Sequence, residues 1–166
     1  MIELLFVDPS KPDMEVFDHL LQLYEYEFSD ITKLEVNRQG LYSTPELKEN
    51  LANRNSQACL LRFKKKWAGL AVVNLKSYLN DDPQVRDIAE FFVMKIYRHH
   101  HLGQKMAFEL FKHFPGKWEV RQLPAAKEAR DFWLKIIDRF THHHFTDQSM
   151  KESRWTGFIQ SFESGI

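Results

Sequence analysis

DIAEFFVMKIYRHHHLGQKMAFELFKH, residues 87–113, runs from a strand through a basic loop into a helix. The strand, Ile88 to Met94, is apolar apart from Glu90, and the helix is expected to open at Gly103. No acid falls between Lys95 and Lys105, whereas Lys95, Arg98, Lys105 and three consecutive histidines do. The first N–H groups of a helix lack intrahelical partners and carry a partial positive charge, which suits an anion. Side-chain cations and a glycine that admits close backbone approach fit that anion to a phosphate or pyrophosphate. Read by itself, the same stretch is also compatible with an ordinary strand-to-helix turn.

Upstream, Ile2–Val7 reads as a short strand stopped by Asp8-Pro9. A helix follows, capped by Asp13 and running to about Phe28, with Val16, Leu20, Leu23, Tyr24 and Phe28 on its apolar face. Thr44-Pro45 opens a short helix with Leu47 and Leu51 inward. Strands are expected over Ala58–Phe63 and Trp67–Lys76, joined at a solvated tip, Lys64-Lys65-Lys66. Downstream, the helix from Gly103 carries Met106, Ala107, Leu110, Phe111 and Phe114 on one stripe and ends at Pro115-Gly116. A strand at Lys117–Leu123 is broken by Pro124, and an amphipathic helix follows with Ala125, Ala129, Phe132, Trp133, Ile136 and Ile137 inward. Two strands, about 139–146 and 153–162, close the chain. The order β-α-α-β-β-β-α-β-α-β-β predicts an α/β fold, a mixed sheet of about seven strands with helices on both faces. No linker or repeat divides residues 1–166, which read as a single domain.

Hydrophobic content of 43% argues for a packed core. Lys+Arg and Asp+Glu both number 23, so the basic excess of a nucleic-acid binder is absent and any anion must meet a local patch. Cys59, the single cysteine, excludes an internal disulfide and a cysteine-based zinc cluster. No apolar run is long enough to span a membrane and the N-terminus lacks signal-peptide features, so a cytoplasmic location without membrane partners is expected. His142 and His144 would share one face of a strand and could meet a metal ion, but no metal-ligand signature accompanies them, and no metal site is expected.

The segment Tyr97-Arg98-His99-His100-His101-Leu102-Gly103-Gln104-Lys105-Met106-Ala107, set in this element order, resembles the GNAT superfamily of acetyl-CoA-dependent N-acetyltransferases. Arg98 and Gly103 fit the outer positions of the family's loop pattern, Arg/Gln-x-x-Gly-x-Gly/Ala, while His101 replaces its middle glycine. Trp118 through Pro124, and then Ala125 to Trp133, resemble the family's next strand and helix. The resemblance implies a single-domain GNAT-like fold in which acetyl-CoA, as co-substrate, lies along the fourth strand. Its pantetheine arm would pair near Phe92, Val93 and Met94, and its pyrophosphate would rest on Arg98 and the N–H groups of His99, His100, His101, Leu102, Gly103 and Gln104.

It further implies transfer of the acetyl group to a primary amine by direct attack. Glu90 is then the base, with a pKa raised by partial desolvation, and the N–H near Val93 receives the oxyanion. Family members often carry a tyrosine as general acid in the fourth helix, immediately after a phenylalanine. This chain has Phe132-Trp133 there, and an indole N–H cannot protonate a thiolate. Tyr97 or solvent is left for that role, and Trp133 is expected to pack in the core. Tyr24, Tyr26 and Phe28 beside Glu25, Glu27 and Asp30 would suit a cationic amine, or else simply cover the sheet. A small-molecule amine is the expected acceptor, and a homodimer is left open. The alternative is a non-catalytic acyl-CoA-binding or regulatory module of the same fold.

Overall fold

A computed structural model describes residues 1–165. Its elements are β1 (Ile2–Phe6), α1 (Asp13–Thr32), α2 (Pro45–Ala52), β2 (Ser56–Phe63), β3 (Lys66–Leu75), β4 (Arg86–Val93), a 3₁₀ helix (Lys95–His100), α3 (Leu102–His113), β5 (Gly116–Gln122), α4 (Lys127–Thr141), β6 (Thr146–Lys151) and β7 (Thr156–Ser164). The strands form one sheet in the order β1-β2-β3-β4-β5-β7-β6. Among the described residues only β4 and β5 pair in parallel, because α3 carries the chain back across the sheet between them. Helices α3 and α4 cover one face around Met106, Phe111, Trp118 and Ile137. Helix α1 covers the other face around Phe17, Leu21, Leu60 and Val72, with Leu51 of α2 in the same cluster.

Two local features position the site. The β4–β5 ladder covers only Arg86–Ile88 against Trp118–Val120; beyond Ile88 the strands part. The β3–β4 register slips between Val72, opposite Glu90, and Val73, opposite Ile88, so Ala89 is an unpaired bulge residue. Strict alternation would point Glu90 to the same face as Ile88. With the extra residue, Glu90 turns toward α1, and Phe91 takes the α3–α4 face. Gly69 in β3 answers the resulting curvature: a Cβ there would lie 2.1 Å from the Phe92 carbonyl oxygen.

Several expectations need correction. The last two strands begin later than expected. Residues 139–141 finish α4, and His142 and His143 form a turn with φ of 50° and 70°. The proposed shared strand face of His142 and His144 therefore does not exist. His143 Nδ1 lies 2.6 Å from Asp138, and among the described residues no group of three or more His, Cys, Asp or Glu is placed to hold a metal. The basic loop is largely the 3₁₀ helix, and α3 opens at Leu102, not at Gly103. Helix α1 runs a turn past Phe28, and its buried stripe is Phe17, Leu20, Leu21 and Glu25, with Leu23 exposed. The inward face thus includes an acid, Glu25, which a reading by apolar period passes over.

Candidate active site

Where β4 and β5 part, a cleft of about 740 Å³ opens, a size that accommodates a ligand arm. Phe91, Phe92 and Val93 of β4 line it together with Ala129, Phe132, Trp133 and Ile136 of α4. His101, Gly103 and Gln104 at the start of α3, and Glu27, Phe28, Asp30 and Ile31 of α1, also line it.

The backbone of β4 supplies the polar groups of its wall. The Met94 N–H donates to Ala68 of β3, so the Val93 carbonyl on the same peptide faces the open side. Arg98 Nε donates to that carbonyl at 2.9 Å. In an extended strand a residue's N–H and C=O point the same way, so the Val93 N–H also faces the gap. At the start of α3, His101 has φ of 55° and no side chain caps the helix. The first N–H groups of α3 are thus available to a ligand. Lys135 and Arg139, one turn apart on α4, line the cleft nearby, and Arg139 donates to Gln104 Oε1 at 2.9 Å.

The expected residues separate into two groups. Phe92, Val93, Arg98, His101, Gly103 and Gln104 line one cleft. Met94 packs on the α1 side, His99 is exposed, the His100 ring lies tilted against Phe63 at 5.6 Å, and the Leu102 side chain is buried in the core. Tyr97 is not brought to the cleft: its ring packs edge-on against Phe63 at 6.0 Å. Arg98, exposed at the surface, is anchored to α1, with Nη2 donating to Glu27 at 2.5 Å. Trp133 packs 4.7 Å from Phe91 and is only 5% exposed, as a core side chain should be.

Glu90, which is not among the residues that line the cleft, lies on the α1 side of β4. Burial pushes its carboxyl up to about 7, the Tyr24 hydroxyl facing it works in the opposite direction, and Glu25 adds to the rise. Burial also lifts the Tyr24 hydroxyl well above its ordinary value, with the Glu90 charge next in effect, so Tyr24 stays protonated and able to donate. At the foot of the gap, Asp87, fully buried, takes two hydrogen bonds of 2.7 Å from Arg121 of β5. The Arg121 guanidinium is stacked over Tyr78 at 3.9 Å and Trp155 at 4.4 Å. This pair pins β4 to β5 just below the point where they part.

Sequence reading missed the facing of Tyr24 and Glu90, the Asp87–Arg121 pair and the α4 cations. Only the last had a local signal, since Lys135 and Arg139 stand four apart on the polar face of an amphipathic helix.

Solved structures share the fold along nearly the whole chain. The chain matches a GNAT-family acetyltransferase from Staphylococcus aureus Mu50 with a TM-score of 0.63 and 12% identity, over 98% of this chain and 99% of that one. A Bacillus subtilis acetyltransferase in complex with CoA matches with a TM-score of 0.60 and 14% identity, over 98% and 99%. Aminoglycoside acetyltransferase AAC(6')-Ib in complex with coenzyme A matches with a TM-score of 0.66 and 14% identity, over 98% and 95%. No protein-family model and no curated protein matches the sequence. At these identities it is the fold that is shared: the chain has the GNAT fold, an α/β sheet of seven strands with helices on both faces.

Proposed function

We propose that the whole chain is one acyl-CoA-binding unit that transfers an acetyl group from acetyl-CoA to a primary amine. The observation that carries this reading is the parting of β4 from β5 beyond Ile88, in line with the uncapped start of α3. An open strand edge can pair with the amides of a pantetheine arm without particular side chains. The N–H groups of α3, with Arg98, Lys135 and Arg139 nearby, suit a pyrophosphate at the end of that arm. Phe91, Phe92 and Trp133 give the arm an apolar bed.

The chemistry follows from the groups around the gap. Glu90, with a pKa near neutrality, removes the proton of the incoming ammonium. The amine nitrogen attacks the thioester carbon, and the Val93 N–H donates to the developing oxyanion. Collapse breaks the carbon–sulfur bond and the nitrogen releases its second proton to water, giving the neutral N-acetyl product and coenzyme A as thiolate. With Tyr97 packed on Phe63, water entering the open cleft is the readier proton source for that thiolate. Tyr24 positions the Glu90 carboxylate by donating toward it.

A second reading is a non-catalytic acyl-CoA-binding module, favoured by the same absence of a tyrosine from the cleft lining among the described residues. Titration calorimetry with acetyl-CoA and coenzyme A, followed by thiol release on a panel of amines, separates the two. Binding with turnover supports the enzyme; binding without turnover on a broad panel supports the module. Absence of acyl-CoA binding overturns both.

A further inference from the structure

Arg98 lies across the open edge of β4 and joins it to α1. Its Nε donates to the Val93 carbonyl at 2.9 Å, its Nη2 donates to Glu27 at 2.5 Å, and its Cζ stands 5.9 Å from the centre of the Phe92 ring. The Val93 carbonyl faces the gap, because the Met94 N–H of the same peptide is turned to Ala68 of β3. It is therefore one of the strand-edge groups that a pantetheine amide has to meet. Arg98 covers that group, and Arg98, Glu27 and Val93 all line the cleft. A hydrogen bond from a charged donor is stronger than a neutral one, so an amide N–H competes poorly for the same carbonyl. An anion competes differently, because it attracts the guanidinium itself. Phosphate oxygens match the guanidinium fork as a carboxylate does. His101 and Gly103, at the uncapped start of α3 where a phosphate is favoured, line the same cleft as Arg98. The Arg98 and Glu27 side chains are 38% and 26% exposed, so water screens the pair and an exchange of partners costs little.

We infer that Arg98 is a strap that selects the donor: tied to Glu27 it obstructs the arm's place on β4, and a phosphate-bearing donor draws it off Glu27 and Val93 and opens that edge. A pantetheine thioester without phosphate leaves the strap tied. It is therefore discriminated against, although its arm and acyl group are those of acetyl-CoA. The inference rests on the acyl-CoA-binding reading above and goes beyond it, since the phosphate here admits the arm as well as anchoring it. Arm and phosphate then strengthen each other's binding by the same factor, as linkage requires.

The test splits the donor into its two ends, S-acetyl-pantetheine and inorganic pyrophosphate. Titration calorimetry measures binding of the first with and without the second, at matched ionic strength because the Arg98–Glu27 pair is screened by salt. In wild type, pyrophosphate should raise the affinity for S-acetyl-pantetheine about fivefold or more. Glu27→Gln, with the strap untied, should bind S-acetyl-pantetheine more tightly without pyrophosphate and gain less from it. Arg98→Ala should also bind it more tightly, and pyrophosphate should add nothing. Thermal melts check that both variants are folded. Pyrophosphate that leaves S-acetyl-pantetheine binding in wild type unchanged, weakened or undetectable overturns the strap, and so does an enhancement that persists in Arg98→Ala. A parallel titration with acetyl-CoA separates the two readings. If acetyl-CoA binds while the enhancement is missing, the acyl-CoA reading stands and the strap is wrong; if acetyl-CoA does not bind, both fail.

Discussion

A Cβ on Gly103 would stand 3.0 Å from Cζ and 3.1 Å from Cε2 of Phe132, tighter than side chains normally pack, so any larger residue at 103 must push that ring aside. The glycine thus admits an aromatic ring of α4 at the rim of the same cleft that would receive the pyrophosphate. Sequence reading had reserved that space for the ligand alone.

Gly103→Val should therefore act twice. Pushing Phe132 aside should cost about 1–3 kcal/mol of stability, an overpacking effect. Acetyl-CoA binding should weaken at least tenfold, about 1.4 kcal/mol. Adding Phe132→Leu should restore the melting temperature. Calorimetry on the double variant then tells whether binding was lost through the ring or at the backbone. A folded Gly103→Val protein that binds acetyl-CoA like wild type would remove the main support for the loop as a ligand site.

Turnover should follow the Glu90 carboxyl. Its base form accumulates as pH rises through about 7, so kcat/KM should climb across that range in wild type. Glu90→Gln should lower kcat/KM at neutral pH by about 10²-fold, and the deficit should shrink at high pH, where free amine is abundant. Equal pH–rate profiles for the two proteins would eliminate Glu90 as the base.

The same residue makes a stability prediction of definite sign. With its folded pKa raised from 4.5 to about 7, Glu90 retains a proton that the unfolded chain releases. Its contribution is complete below the unfolded value and is lost as pH rises through about 7. The loss should amount to about 1–3 kcal/mol. Chemical denaturation at pH 5 and pH 8 should therefore show Glu90→Gln gaining on wild type at the higher pH.

Arg98 and Glu27 should behave oppositely toward the acyl donor. The pair is partly solvent-exposed, so its removal should change stability by no more than about 1 kcal/mol. Arg98→Ala should weaken acetyl-CoA binding by less than tenfold, fading at high salt. Glu27→Gln, which frees the guanidinium, should strengthen binding a few-fold at low salt. Weaker binding in both variants would mean that the ion pair itself shapes the cleft.

Trp133→Phe tests the aromatic core. It should cost about 1–2 kcal/mol in a denaturation experiment and leave turnover per folded molecule nearly intact. Loss of activity without loss of stability would place the indole among the groups that touch the reacting atoms.

Element order and the basic opening of α3 were legible in the chain because both are local. Hydrophobic period, Pro and Gly punctuation and the acid-free run from Lys95 to Lys105 all act within a few residues. They determine an α/β sheet with a helix N-terminus at an anion-friendly turn. The His142–His144 turn was misread because α4 continues through residues that, in isolation, pass for a strand start. Tertiary structure alone decided which way Glu90 faces, since the bulge at Ala89 exists only in the pairing of β4 with β3. It alone decided that Arg98 meets Glu27 and that Tyr24 faces Glu90, pairings between α1 and segments far along the chain. Side-chain direction in a strand has a period of two, so one unpaired residue reverses it. No local pattern records where that residue falls.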